Sequence, residues 1–300
     1  MSEHEEQHAP GGRLASDLAR REFVAFSAVA GLAAMTGAAS AADLAVAEKE
    51  VQISTPDGTS DAAFFYPATG SYPGVLVWTD AFGLRPVFRD MGRRLAAQGY
   101  AVLVPNPYYR SAKAPVFGDI SSFDFQKDAD RAKLQQLMGP LTAANAAEKD
   151  AKAYIGFLLA QAQVNKAKKI GAQGYCMGGP LVVRTAAAAP DQVGAGASFH
   201  GGGLVTDKPD SPHLLASRIR ARMYFAVAAS DDARQPDAKD KLREAFAAAK
   251  VAAEVEVYAG AQHGWCVADM PLRNGQPIYN EPDAERAWAK LLALYRAALA

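Results

Sequence analysis

Residues 169–179 read Lys169-Ile170-Gly171-Ala172-Gln173 before the chain turns through Gly174-Tyr175-Cys176-Met177-Gly178-Gly179, and residues 180–189 then follow a helical pattern.

 The apolar run ends as a strand would, and a helix opens four residues later. Cys176 therefore stands at a tight strand-to-helix turn, where a side chain is presented on a strained backbone and small residues two before and two after it let strand and helix approach closely. Gly-x-Cys-x-Gly is the pattern of a nucleophile elbow with sulfur at its centre. The helix N-terminus behind it supplies partial positive charge and free N–H groups, which favour a thiolate and can receive an oxyanion.

Outward from this turn the chain alternates short β-rich runs with longer helical ones, the signature of an α/β protein. Residues 50–54 and 62–66 flank the turn Pro56-Asp57-Gly58 and predict an antiparallel hairpin at a sheet edge. Residues 75–78, 101–104 and 170–174 are apolar nearly throughout, as parallel strands covered on both faces should be. Strands over 194–199, 223–228 and 254–258 complete the series. Helices are predicted over 86–98, 125–138, 143–164, 178–189, 237–250 and 281–297. With no internal repeat and no composition shift, residues 43–300 read as one doubly wound domain with a mostly parallel sheet. Residues 106–123 form a long connection rich in aromatic residues, of the kind that makes a lid or binding loop.

Residues 1–41 read differently. Arg20-Arg21 precedes an uncharged, Ala-rich run from Phe23 to Ala42, and Ala39-Ser40-Ala41 has the small-x-small form of a cleavage site. This resembles a twin-arginine export signal, which implies an exported or periplasmic protein with no stable membrane partner once cleaved. An uncleaved membrane anchor and a cytoplasmic extension are the alternatives.

Over the 300 residues, Lys plus Arg and Asp plus Glu each total 32. A balanced charge gives no basic excess for a phosphate backbone, so nucleic acid is not an expected partner. The two cysteines, Cys176 and Cys266, are too few for a disulfide scaffold or a cysteine zinc site. No histidine triad suggests a metal, and neither a dinucleotide fingerprint nor a Walker lysine accompanies the glycines near 174, so no cofactor is expected.

A nucleophile needs a base and an orienting acid. The strand 223–228 runs into Ser230-Asp231-Asp232, and the next strand into Gln262-His263-Gly264. Nucleophile, acid and histidine thus appear in the chain order of α/β-hydrolases. Asp231 is the expected acid with Asp232 as the alternative, since alternation along an extended segment would turn the two to opposite sides. Of the other histidines, His200 is expected to shape the floor of the site and His213 to be solvated or packed.

Cys176 in Gly174 to Gly179, the Asp231 strand end and Tyr258 through Gly264 together resemble the dienelactone hydrolases (carboxymethylenebutenolidases), a family of α/β-hydrolases with a Cys, Asp and His triad. The resemblance spans about residues 51–297. It implies a single-domain α/β-hydrolase acting on small lactones or esters, with Cys176 as nucleophile, His263 as base and Asp231 as acid through a thioester acyl-enzyme. It also implies an auxiliary carboxylate beside the resting cysteine, for which Thr79-Asp80-Ala81-Phe82-Gly83 offers Asp80 where the family usually has Glu. The oxyanion hole is expected from the backbone N–H groups of Met177 and Ala81.

The family grips a substrate carboxylate with arginines, one of them a few residues beyond the histidine. Here Gly264-Trp265-Cys266-Val267 has none. Arg131, with Arg85 and Arg110 behind it, is the candidate replacement. Phe82, Tyr108, Phe117 and Trp265, with Tyr109, predict an apolar pocket that favours neutral lactones or esters. Two other readings are a thiol-redox protein using both cysteines, disfavoured by the absence of Cys-x-x-Cys, and a non-catalytic binding protein on the same scaffold.

Overall fold

The computed structural model describes residues 43–300; the export-signal expectation for residues 1–41 lies outside them. Eight strands form one sheet: β1 (Val46–Thr55), β2 (Gly58–Pro67), β3 (Gly74–Trp78), β4 (Ala101–Pro105), β5 (Ile170–Tyr175), β6 (Val193–Phe199), β7 (Arg222–Ala228) and β8 (Ala253–Tyr258). Their order is β1-β2-β4-β3-β5-β6-β7-β8. The β1–β2 hairpin is antiparallel and β2 also meets β4 antiparallel, while every pairing from β4 through β3 to β8 is parallel. The fold is thus the mostly parallel α/β sheet with an antiparallel N-terminal pair that the sequence predicts.

Among the described residues seven α-helices accompany it: α1 (Pro86–Ala97), α2 (Asp128–Leu141), α3 (Ala146–Ala160), α4 (Gly178–Ala188), α5 (Ala229–Arg234), α6 (Ala238–Ala248) and α7 (Glu281–Leu299). All residues of β3, β4 and β5 are buried, because helices cover the sheet on both sides. One core joins Leu76 and Trp78 to Tyr154 of α3, Val182 of α4 and Phe246 of α6. The other joins Val75 and Val77 to Phe88 and Leu95 of α1 and to Leu291 and Tyr295 of α7.

The chain leaves β3 toward β4 on one side and returns to place β5 on the other. Two neighbouring strands whose connections diverge leave a crevice beyond their C-terminal ends, which is where ligands bind in such sheets. That crevice lies between the segments following Trp78 and Tyr175.

Three local expectations need correction. Helix α2 begins at Asp128, three residues late, because Asp124 accepts from Gln126 N at 2.8 Å and turns the chain there. Helix α3 is shorter than 143–164: Asn145 is left-handed at its start (φ 59°) and Gln161 is extended at its end. The segment 229–234, read as a strand end, is the short helix α5.

Trp78 Nε1, fully enclosed, donates to Thr185 Oγ1 at 2.9 Å and ties β3 to α4. In the Thr185→Val variant this donor has no partner, and the loss of a buried hydrogen bond costs about 1–3 kcal/mol. Urea unfolding should show the loss as a lower midpoint with an unchanged slope.

Candidate active site

Cys176 follows β5 directly and has φ 50°, a conformation that non-glycine residues rarely adopt. Its backbone is held on both sides: Cys176 N donates to Phe199 O at 3.0 Å, while its carbonyl accepts from Gly179 N at 3.1 Å and Gly202 N at 3.2 Å. A Cβ on Gly174 would lie 2.2 Å from Gly178 O, and one on Gly178 would lie 2.5 Å from Trp78 O. Glycine at both positions is therefore a steric requirement of the turn. It also brings the turn against the end of β3.

His263 comes from the loop after β8, its backbone N donating to Ser230 Oγ at 2.9 Å. Its Nε2 lies 3.1 Å from Cys176 Sγ and its Nδ1 2.7 Å from Asp231 Oδ2. The structure thus brings Cys176, His263 and Asp231 into one continuous chain of contacts. Asp232 turns away to Lys239 Nζ at 2.7 Å. The separation of the two aspartates follows from the helical turn of α5, not from the strand alternation expected of them.

Burial opposes a charge on His263, but hydrogen bonds to Asp231 and Cys176 outweigh it and its pKa is pushed up to about 10. Proton binding by this ring therefore favours the folded state. The contribution is complete below the ordinary histidine value of about 6.5 and is lost as pH rises through about 10. His200 behaves oppositely: enclosed beside His263, with ring centroids 4.9 Å apart, it is held neutral by burial and by the neighbouring ring's charge. Its Nδ1 lies 3.5 Å from Cys266 Sγ, on the buried side of His263. His213 is tied by Nδ1 to Ser211 Oγ at 2.8 Å.

Among the described residues, no acceptor takes the backbone N–H of Met177 or of Ala81. Tyr108 joins these two residues, its hydroxyl donating to Ala81 O at 2.8 Å and lying 3.2 Å from Met177 Sδ. Phe82 packs edge-on against Phe117 and Phe123, and Phe123 against Phe125, which is half exposed. An apolar wall therefore runs from beside Ala81 to the surface. Phe123 and Phe125 were not singled out from the sequence, although both lie within two residues of a helix start that was misjudged.

Other expected site residues are engaged elsewhere. Asp80 is enclosed and paired through both oxygens with Arg85, and its Oδ1 also accepts from Phe82 N at 2.9 Å. Arg85 in turn holds Asp269, while Arg110 holds Asp57 and Asp150. Arg131 extends to Asp128 and to the carbonyls of Phe125 and Gln126, so it behaves as a solvated helix charge. Tyr109 is bound to Thr55 and Asp150. Trp265 is fully enclosed and stacked on Tyr258, a core residue beneath the site and not part of its wall. Cys266 is a buried free thiol whose pKa burial pushes well up. It borders a cavity of about 200 Å³ that Met91 of α1 and Trp288 of α7 also line.

A strained residue between a parallel strand and a helix, at the crevice of a mostly parallel sheet, defines an α/β-hydrolase. The chain belongs to the dienelactone hydrolase family, whose model matches residues 61–299. It is accordingly a hydrolase of the carboxylic ester and lactone class. A carboxymethylenebutenolidase of Rhodococcus opacus is 27% identical over 218 residues, 72% of this chain and 79% of its own. The same name, in provisional form, is carried by a protein of Methylorubrum extorquens that is 28% identical over 291 residues, 93% of either chain. Among solved structures, a dienelactone hydrolase-like promiscuous phosphotriesterase from metagenomic libraries shares the fold, with a TM-score of 0.69 at 23% identity over 85% of this chain and all of its own.

Replacing Asp231 with Asn exchanges the carboxylate that raises the His263 pKa for a neutral amide, whereas replacing Asp232 leaves it in place. Ring-proton NMR titration should show the His263 midpoint falling in Asp231→Asn and unchanged in Asp232→Asn.

Proposed function

We propose that this protein cleaves small, neutral lactones or esters by a Cys176 nucleophile, with His263 as general base and acid and Asp231 as the group that orients it. The observation that carries the reading is the unbroken run from Asp231 through His263 to Cys176 Sγ, at 2.7 and 3.1 Å. In the first step the proton of the Cys176–His263 pair lies on His263, Sγ bonds to the carbonyl carbon, and the backbone N–H groups of Met177 and Ala81 receive the developing oxyanion. The intermediate collapses to a thioester as the C–O bond breaks, and His263 returns the proton to the departing oxygen. His263 then takes a proton from water, whose oxygen attacks the thioester. Collapse releases the acid and restores the Cys176–His263 pair with its proton on the ring.

The free N–H groups of Met177 and Ala81 support the oxyanion assignment, and their joint contact with Tyr108 keeps them in one place. Asp80 takes no part in activating Cys176 in this scheme, since Arg85 engages both of its oxygens. Brief exposure to an activated ester followed by intact-mass analysis and peptide mapping should find the acyl group on Cys176. Acylation of Cys266 with normal turnover would overturn the assignment.

Preference for neutral substrates follows from the surroundings. Arg85, Arg110 and Arg131 are all held by acidic groups, and the wall beside Ala81 is Phe82, Phe117, Phe123 and Phe125. A charged hydrogen bond to a substrate carboxylate contributes about 1.5–3 kcal/mol, so a pocket without one forgoes roughly tenfold to a hundredfold in specificity. The ratio of kcat/KM for a lactone methyl ester to that of its free acid should exceed unity by such a factor. A preference for the acid that disappears in Arg131→Met would reverse the conclusion.

A further inference from the structure

Arg85 lies in the turn before α1 and is 3% exposed; the sequence offers it as a reserve ligand for a substrate carboxylate, but in the structure it faces two carboxylates of the protein itself. It donates from Nη1 to Asp80 Oδ1 at 2.6 Å, from Nη2 to Asp80 Oδ2 at 2.9 Å, from Nε to Asp269 Oδ2 at 2.8 Å and from Nη2 to Asp269 Oδ1 at 2.7 Å. Its planar fork is thus used on two edges, each facing a carboxylate. Phe88 packs on the guanidinium, with 5.0 Å between the central carbon and the ring.

The two carboxylates belong to different parts of the site. Asp80 immediately precedes Ala81 and accepts from Phe82 N, so it fixes the backbone on either side of the proposed oxyanion donor. Asp269 lies six residues beyond His263, in the turns that follow it, where Val267 N bonds Gly264 O and Met270 N bonds Val267 O. We infer that Arg85 is a positioning residue, a clamp that sets the oxyanion loop and the His263 loop at a fixed spacing across the crevice. This inference rests on the proposed Cys176 mechanism for its catalytic consequence, but the mechanical coupling it describes does not depend on that mechanism.

The geometry favours a clamp over simple charge neutralisation. Neutralising Asp80 requires one cation, and Arg85 could do that through a single edge. The second edge reaches a carboxylate that is 37% exposed and that water could solvate. Planarity then transmits the orientation of one loop to the other, which a lysine ammonium, a point charge on a flexible stem, would not do.

The coupling is tested first by hydrogen exchange on Arg85→Gln combined with Asp80→Asn, which removes the cation and the enclosed carboxylate together, and on Asp269→Ala, whose site is partly solvated. Asp269→Ala should increase exchange in both segments, 80–85 and 264–270. An increase confined to 264–270 would overturn the clamp. The catalytic consequence is read in the same two variants, using turnover that is lost in Cys176→Ala. Both should lose about tenfold in kcat with KM nearly unchanged, and both should bind a trifluoromethyl ketone, which forms a hemithioketal oxyanion, more weakly by a similar factor. Asp269→Lys should fare no better than Asp269→Ala, while Asp269→Glu should recover much of the loss.

Variants that remain folded with kcat and ketone affinity within twofold of the parent would reduce Arg85 to a structural ion. Turnover that survives in Cys176→Ala would instead overturn the nucleophile assignment. In that case the exchange experiment still decides whether the two loops are coupled.

Discussion

Gly174 and Gly178 must approach each other more closely than any side chain permits, and the site depends on that contact. The 2.2 Å that a Cβ on Gly174 would leave to Gly178 O is well inside van der Waals contact. Close approach allows β5 to pass into α4 with Cys176 at φ 50°, and it presses the turn against Trp78 and Thr79 at the end of β3. Because β3 and β5 are neighbours whose connections diverge, this contact brings the segments that carry Ala81 and Met177 together. The remaining parts are arranged around this turn: His263 meets the sulfur from the loop after β8, and Asp231 meets His263 from the helix after β7.

Charge is distributed around the site with few groups left unanswered. Asp231 is given to His263, Asp232 to Lys239, Asp80 and Asp269 to Arg85, and Asp150 to Arg110. An ionised group taken out of water is costly unless paired and hydrogen-bonded, so each pairing also determines what its members cannot do. An arginine held by two carboxylates is a poor ligand for a third. The chemistry of the pocket is therefore set as much by which cations are already engaged as by which residues are present.

The sequence carried the elbow, the strand series and the chain order of Cys176, Asp231 and His263, because all three are local patterns or follow from the direction of a parallel sheet. Between Asp231 and Asp232 the sequence did not decide, since alternation says only that the two face opposite sides. A helical turn also separates adjacent residues, and here it carries Asp231 to His263 and Asp232 to Lys239. What remained hidden was long-range. Arg85 and Asp269 are 184 positions apart, and nothing in either segment announces the other. Trp265 next to a histidine pattern suggested a pocket wall, but whether a residue just beyond a strand faces the crevice or the core depends on the path of the whole loop.

Strand β8 ends the sheet opposite β1, with one row of backbone groups unpaired by any strand. Its Glu254 and Glu256 are tied to Lys290 and Arg286 of α7. The outermost strand, hydrogen-bonded to a neighbouring strand on one side alone, is therefore also tied down through its side chains, and the last helix serves as a brace for the margin farthest from the hairpin.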